Sequence, residues 1–148
     1  MKRRILKLLV IISSLATLIL SLTYNAYKVE GYDGINTQSS LSCFVMGSTA
    51  ILGGGILEWI IWLANPLCLI SIFFIITDNE KAPKFALAAL LIAMSFSLWN
   101  NILISESGAT GKILSLELGY YIWLISIATL TIGTHFYFKK YKEVKFVD

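Results

Sequence analysis

The chain has 148 residues, 57% of them apolar or aromatic and 14% charged, with a formal net charge of +3 and a mean hydropathy of +0.75. A soluble domain carries about a quarter charged residues, and a disordered chain combines few apolar residues with high net charge, so both are excluded. An integral membrane protein of one domain and all-α class remains.

A helix needs about 20 residues to cross the hydrocarbon layer, and four stretches have that length. The first, 5–23, is interrupted only by Lys7. It resembles a secretory signal in having KRR before an apolar run. However, the run is long and Tyr24, Asn25 and Ala26 form no small-x-small cleavage site, so it reads as an uncleaved span. A polar loop, 24–40, follows, and its Tyr24, Tyr27 and Tyr32 suit either interfacial anchoring or a recognition patch. Segment 41–55 is apolar but short, and the glycines at 53–55 disfavour a continuing helix. It either lies on or dips into the outer surface and breaks at the glycines, or begins one long tilted second helix near Ser42.

The second span, 56–77, holds one charge, Glu58; the third, 85–105, holds none; the fourth, 116–138, has Glu117 and His135 near its ends. Runs this long without strand alternation satisfy their backbone in lipid only as helices. With four spans and the N-terminus inside, every basic residue except Lys28 and Lys112 falls on the inner side. The positive-inside rule selects that topology, with both termini cytoplasmic. The inner loop 78–84 then offers Lys81 and Lys84, and the tail 139–148 offers Lys139, Lys140, Lys142 and Lys145, to anionic headgroups or a cytosolic partner.

Polar groups inside a membrane are costly and invite functional readings. Glu58, Trp62 and Asn65 share one face of the second helix. Pro66 cannot donate to the carbonyl of Trp62, so a kink is expected there. Asn100 and Asn101 near the end of the third span, with Glu117, Tyr120 and Tyr121 at the start of the fourth, complete a polar and aromatic cluster in the outer half. It is either an interfacial belt or an outward-open site for a ligand, lipid or partner segment. Small residues recur every four positions at Ala89, Ala93 and Ser97, at Ser13, Thr17 and Ser21, and at Thr129 and Gly133. This spacing lets helices approach closely within the chain or in a homo-oligomer.

Several chemistries are missing. Cys43 and Cys68 form no C-x-x-C pair, so thiol redox exchange is not expected, nor is a disulfide between them. The lone His135 makes a poor metal site. No P-loop, nucleophile elbow, metalloprotease motif or carboxylate pair occurs, and every Arg precedes the first span. No enzyme activity, cofactor, metal or nucleic-acid binding is expected.

The residues WLANP at 62–66 and GYYIWL at 119–124, with Cys43, resemble those of short bacterial inner-membrane proteins with four helices. The resemblance covers 42–133 and implies a shared interface between the second and fourth helices, without assigning an activity. In size and span count alone, the chain is also similar to the membrane subunit of Kiwa-type anti-phage defence systems. The expectation is a non-enzymatic inner-membrane component that senses or binds at the membrane and relays to, or anchors, a cytosolic partner. An immunity protein against a pore-forming toxin is one alternative. A small oligomeric transporter or channel, with Glu58 as coupling carboxylate and Asn65 as ligand contact, is the other.

Overall fold

The structure, a computed structural model, describes residues 2–105 and 108–142. Leucine- and isoleucine-rich runs free of breakers form the long helices, α1 (Lys2–Ser21) and α6 (Leu118–Lys142), which pack against each other along most of their length. Gly133 makes their approach possible: a Cβ there would come within 2.5 Å of Val10. Deeper along the pair, the buried Ser14 hydroxyl donates to the Ser126 carbonyl over 2.9 Å.

α3 (Ile56–Trp62) and α4 (Ala64–Ile76) are separated at Leu63. The proline-induced break expected at Trp62 is present, and the freed carbonyl is recovered: Asn65 Nδ2 donates to it over 3.0 Å. α5 (Ala82–Ser95) starts on Pro83 within its first turn and continues as a 3₁₀ turn to Leu98, a start that suits a residue with no N–H to contribute. Ala82, Ala86, Ala89 and Ala93 are fully buried, so α5 sits close between α4 and α6. Only two of the three small residues expected on this helix, Ala89 and Ala93, face inward; Ser97 is exposed.

Three helical stretches, Arg3–Ser21, Ile56–Ile76 and Leu118–Lys140, are long and apolar enough to cross a membrane, whereas Ala82–Leu98 is apolar but shorter. The helix expected over 85–105 is therefore corrected. It stops at Leu98, Trp99 is already extended, and residues 101–103 form a strand.

The all-α expectation is corrected too. A four-stranded antiparallel sheet in the order β2-β1-β4-β3 caps one end of the helices. β1 (Asn25–Gly31) and β2 (Gly34–Ser39) form a hairpin turning at Tyr32 and Asp33, while β3 (Asn101–Leu103) pairs with β4 (Thr110–Leu116). The central β1–β4 ladder joins the two hairpins, with Glu30 opposite Lys112 and Tyr27 opposite Leu116. The reason is local: Tyr27, Val29 and Gly31 alternate with Lys28 and Glu30, a period of two that favours a half-buried strand over a loop.

Segment 41–55 is helical but separate from α3. Ser39 caps α2 (Ser40–Met46) by accepting the Ser42 amide, and a 3₁₀ stretch (Gly47–Gly53) ends at Gly54 in the left-handed region, φ 84°. Glycine adopts that conformation at little cost, so the chain turns there and α3 starts afresh.

The core forms three tiers along the helices. Val29, Phe96, Ile102 and Tyr120 lie under the sheet, Ala64, Ala89, Ala93 and Ile127 fill the middle, and Val10, Ile75, Ala82, Ala86, Leu130 and Tyr137 close the far end. That far end carries Arg3, Lys7, Lys81, Lys84, Lys139 and Lys140, whereas Lys28 and Lys112 lie in the sheet, and it is called the basic end below. Large apolar side chains such as Leu9, Ile12, Phe73, Leu91 and Ile132 point outward from the helices.

Candidate functional site

A cavity of about 560 Å³ lies between the sheet, α2, α3 and the first turns of α6. Its volume is within the roughly 300–1,000 Å³ typical of small-molecule sites. Three residues singled out from the sequence, Glu58, Trp62 and Asn65, converge on its wall. Glu58 Oε1 accepts the Leu103 amide over 2.9 Å, so the carboxylate of α3 holds the edge strand β3. Trp62 Nε1 donates to the Phe44 carbonyl over 2.7 Å and ties α3 to α2. Asn65 spans the gap between helices. Its Nδ2 serves the Trp62 carbonyl, and its Oδ1 accepts from Trp123 Nε1 of α6 over 2.9 Å. The interface between the second and fourth helical stretches thus passes through WLANP and GYYIWL.

Tyr120 of the expected cluster lines the cavity too, whereas its Asn100, Asn101, Glu117 and Tyr121 lie elsewhere. The Asn100 carbonyl accepts the Ile113 amide within the sheet, Asn101 opens β3 with an exposed side chain, and Tyr121 is half-exposed on α6. Glu117 accepts the Ser115 hydroxyl at 2.6 Å and pairs with Lys28 at 3.3 Å. The Ser115 hydrogen bond, then that from Lys28, holds its carboxyl below the ordinary range. None of these four lines the cavity.

Tyr27, one of the loop tyrosines read as anchors or a recognition patch, also lines the cavity, as do Ser40 and Cys43, which the sequence did not single out as site residues. The signal that could have placed Tyr27 there is the alternation along 27–31, which puts Tyr27, Val29 and Gly31 on one strand face. Burial raises the Tyr27 phenol above its ordinary range, reinforced by Cys43 and Glu58 nearby. Burial also pushes the Cys43 thiol up to about 11, against an opposing effect of Tyr27. Both groups stay protonated at neutral pH, and a neutral thiol is a poor nucleophile. Cys43 and Cys68 are free thiols. Ser40 Oγ is buried without a hydrogen-bond partner.

At the basic end, Asp78 organises a different cluster. Arg3 Nη2 and Lys7 Nζ reach its two oxygens at 2.7 Å each. The Tyr137 hydroxyl donates to Oδ1 at 2.5 Å and itself accepts from Arg3 Nε at 2.6 Å. Asp78 sits at φ 57°, the left-handed position that ends α4, where the Asn79 amide closes back on the Phe74 carbonyl over 2.8 Å; this position ordinarily favours glycine. Burial opposes ionisation of Asp78, but hydrogen bonds from Lys7 and Tyr137 and the charges of Lys7 and Arg3 outweigh it and hold its carboxyl low. Around this cluster Lys81, Lys84, Lys139 and Lys140 are exposed. The backbone of Lys142 ends α6, and Lys145 lies outside the described residues. No group of three or more metal-ligating side chains occurs among the described residues.

Comparison with protein-family models, with curated proteins and with solved structures found no match to this chain.

Proposed function

We propose that the chain is a multi-pass protein of the bacterial inner membrane that binds an amphipathic ligand on its outer side and relays its occupancy to a cytosolic partner, without catalysing a reaction. The carrying observation is the cavity on which Glu58, Trp62 and Asn65 converge beneath the sheet. Outward-pointing apolar side chains along all the helices support burial in lipid, since soluble monomers rarely expose apolar area on that scale. In this reading α1, α3–α4, α5 and α6 cross the bilayer, α5 with about 21 Å of α-helix lengthened by its 3₁₀ turn to Leu98. The sheet end faces outward. The basic end faces the cytoplasm, as the positive-inside rule favours, and its lysines meet anionic lipid or the partner. Ser13 and Thr17 on the outer face of α1 leave a small-residue strip for a second copy, so a homo-oligomer is the expected assembly.

Similarity in size to Kiwa-type membrane subunits makes anti-phage defence the setting to examine first. An immunity protein would use the same outer cavity against a toxin segment. The middle tier of Ala64, Ala89, Ala93 and Ile127 packs the bundle below the cavity, which favours binding over a conducting pore.

The test is purification of the tagged full chain from native membranes in mild detergent, with mass spectrometry of bound lipids and proteins. The expected result is one tightly held amphiphile per chain and a cytosolic protein that is lost when residues 139–148 are removed. A chain free of both, whose proteoliposomes show flux abolished by Glu58→Gln, would overturn the reading in favour of a transporter.

A further inference from the structure

We infer that the cavity selects a cationic amphiphile, an ammonium head on an apolar tail, with Glu58 as the residue that recognises the head. This rests on the reading of the cavity as a ligand site and adds the ligand's charge. The first support is the sign of the lining. The chain carries 12 Lys and Arg against 9 Asp and Glu, yet among the described residues no basic side chain lines the cavity, and the two charged ones that do, Glu58 and Asp33, are both acidic. A bilayer phospholipid seated there would bring a phosphate to a wall without a cation, which is unfavourable away from bulk water.

The second support is the half-used carboxylate. Oε1 of Glu58 is taken by the Leu103 amide, while Oε2 accepts no hydrogen bond from the described residues and lies beside Gly55, where a Cβ would approach to 3.1 Å. An ammonium head carries donors and no acceptor, so it complements an open carboxylate oxygen. Ser40 Oγ, buried and without a partner, is a further acceptor on the same lining. The rest of the wall includes Tyr27, Trp62, Tyr120 and Trp123. Aromatic faces attract cations and also cover an alkyl tail. The size of the cavity suits one small molecule rather than a polypeptide.

The experiment uses the full chain in nanodiscs of phosphatidylcholine, with tryptophan fluorescence as readout. Three probes of equal chain length differ only in the head: dodecylamine, dodecanol and dodecanoate. Dodecylamine is expected to bind saturably, about tenfold or more tighter than dodecanol, with dodecanoate weakest. Glu58→Gln keeps an oxygen for the Leu103 amide and is expected to erase the amine's advantage while leaving dodecanol unchanged. Ala50→Phe, which fills the cavity from its wall, is expected to remove the saturable signal of both. Equal affinities for amine and alcohol, or an advantage that survives Glu58→Gln, would overturn the charge selection and leave the cavity standing as a site. No saturable signal from any probe, or one untouched by Ala50→Phe, would overturn the cavity reading itself.

Discussion

At the basic end Asp78 is met by Arg3, Lys7 and Tyr137, with both of its oxygens used. At the sheet end Glu58, which lines the cavity, is met by a single amide, and its second oxygen accepts no hydrogen bond from the described residues. The basic end also packs more completely, with Tyr137, Leu130 and Ile75 fully buried, whereas the sheet end holds the 560 Å³ void and an unpartnered Ser40 hydroxyl. The difference separates a closed clasp from a carboxylate with a free oxygen, the one our proposal makes a receptor. A carboxylate whose partners are all internal fastens elements together, and one left half-satisfied beside empty volume is disposed to take something from outside.

Substitutions at Gly119, Asn65, Asp78 and Glu117, with Gly133 as a control, would break or sharpen that contrast. The largest loss is expected from Gly119→Ala at the start of α6, because a Cβ there runs into Ser40 Oγ and the Asn25 carbonyl of β1. Backbone cannot move aside as a side chain can. A loss of about 3 kcal/mol, at the upper end of overpacking costs, should appear in thermal unfolding in detergent. Gly133→Ala, opposed only by the Val10 side chain, should cost less. A loss at Gly119 no larger than at Gly133 would show that the sheet end is loose enough to yield.

Next comes Asn65→Leu. It strands the Trp62 carbonyl and the Trp123 indole N–H, at about 2 kcal/mol for two unmade hydrogen bonds inside the bundle. The red edge of tryptophan emission should shift with it; an unshifted spectrum and an unchanged melting temperature would remove Asn65 as the bridge.

The third is Asp78→Ala, expected to cost about 1–2 kcal/mol through its lost partners. Asp78→Gly loses the same partners but relieves the left-handed backbone, so it should be the milder by about 1 kcal/mol. Equal losses would mean that the backbone at this turn is unstrained. A pH series adds the sign. The Asp78 carboxyl is held low in the fold, so its contribution is present above the unfolded value of about 3.9 and is lost as pH falls through the folded one. The wild-type melting temperature should therefore drop more steeply below about pH 4 than that of Asp78→Asn. The slope is softened by solvent, since the side chain is 40% exposed.

The smallest effect belongs to Glu117→Gln. Its pair with Lys28 is at the surface and solvent-screened, so the melting temperature should scarcely move, and a drop as large as that of Asp78→Ala would show that the pair is structural.

What the sequence made legible is unequal between the two ends. The helices follow from hydropathy alone, the kink follows from Pro66, and the segregation of lysines follows from counting. Asn65 was recognisable as needing a partner within the bundle, and Trp123 is that partner. The sheet was not legible because its strands are short and mixed. β3 has three residues and sits at the end of an apolar run that hydropathy extends as helix, and the alternation in β1 spans only seven residues. The Asp78 clasp was hidden for another reason. Its partners come from 75 residues upstream and 59 downstream, and neither local pattern nor composition encodes that convergence.

The β1–β4 ladder has a consequence for how the protein is made. Glu30 of β1 waits for Lys112 of β4, about 80 residues later, which at roughly 5–20 residues per second is on the order of 4–16 s of translation. Throughout that interval the first hairpin has emerged with one long edge bare, a template for misplaced strands. Until Gly119, Tyr120 and Trp123 of α6 arrive, part of the cavity wall is missing. A fragment ending before residue 110 would therefore keep α1 to α5 and the first hairpin but lack the α6 part of the wall, and on the proposed reading it would hold an incomplete site.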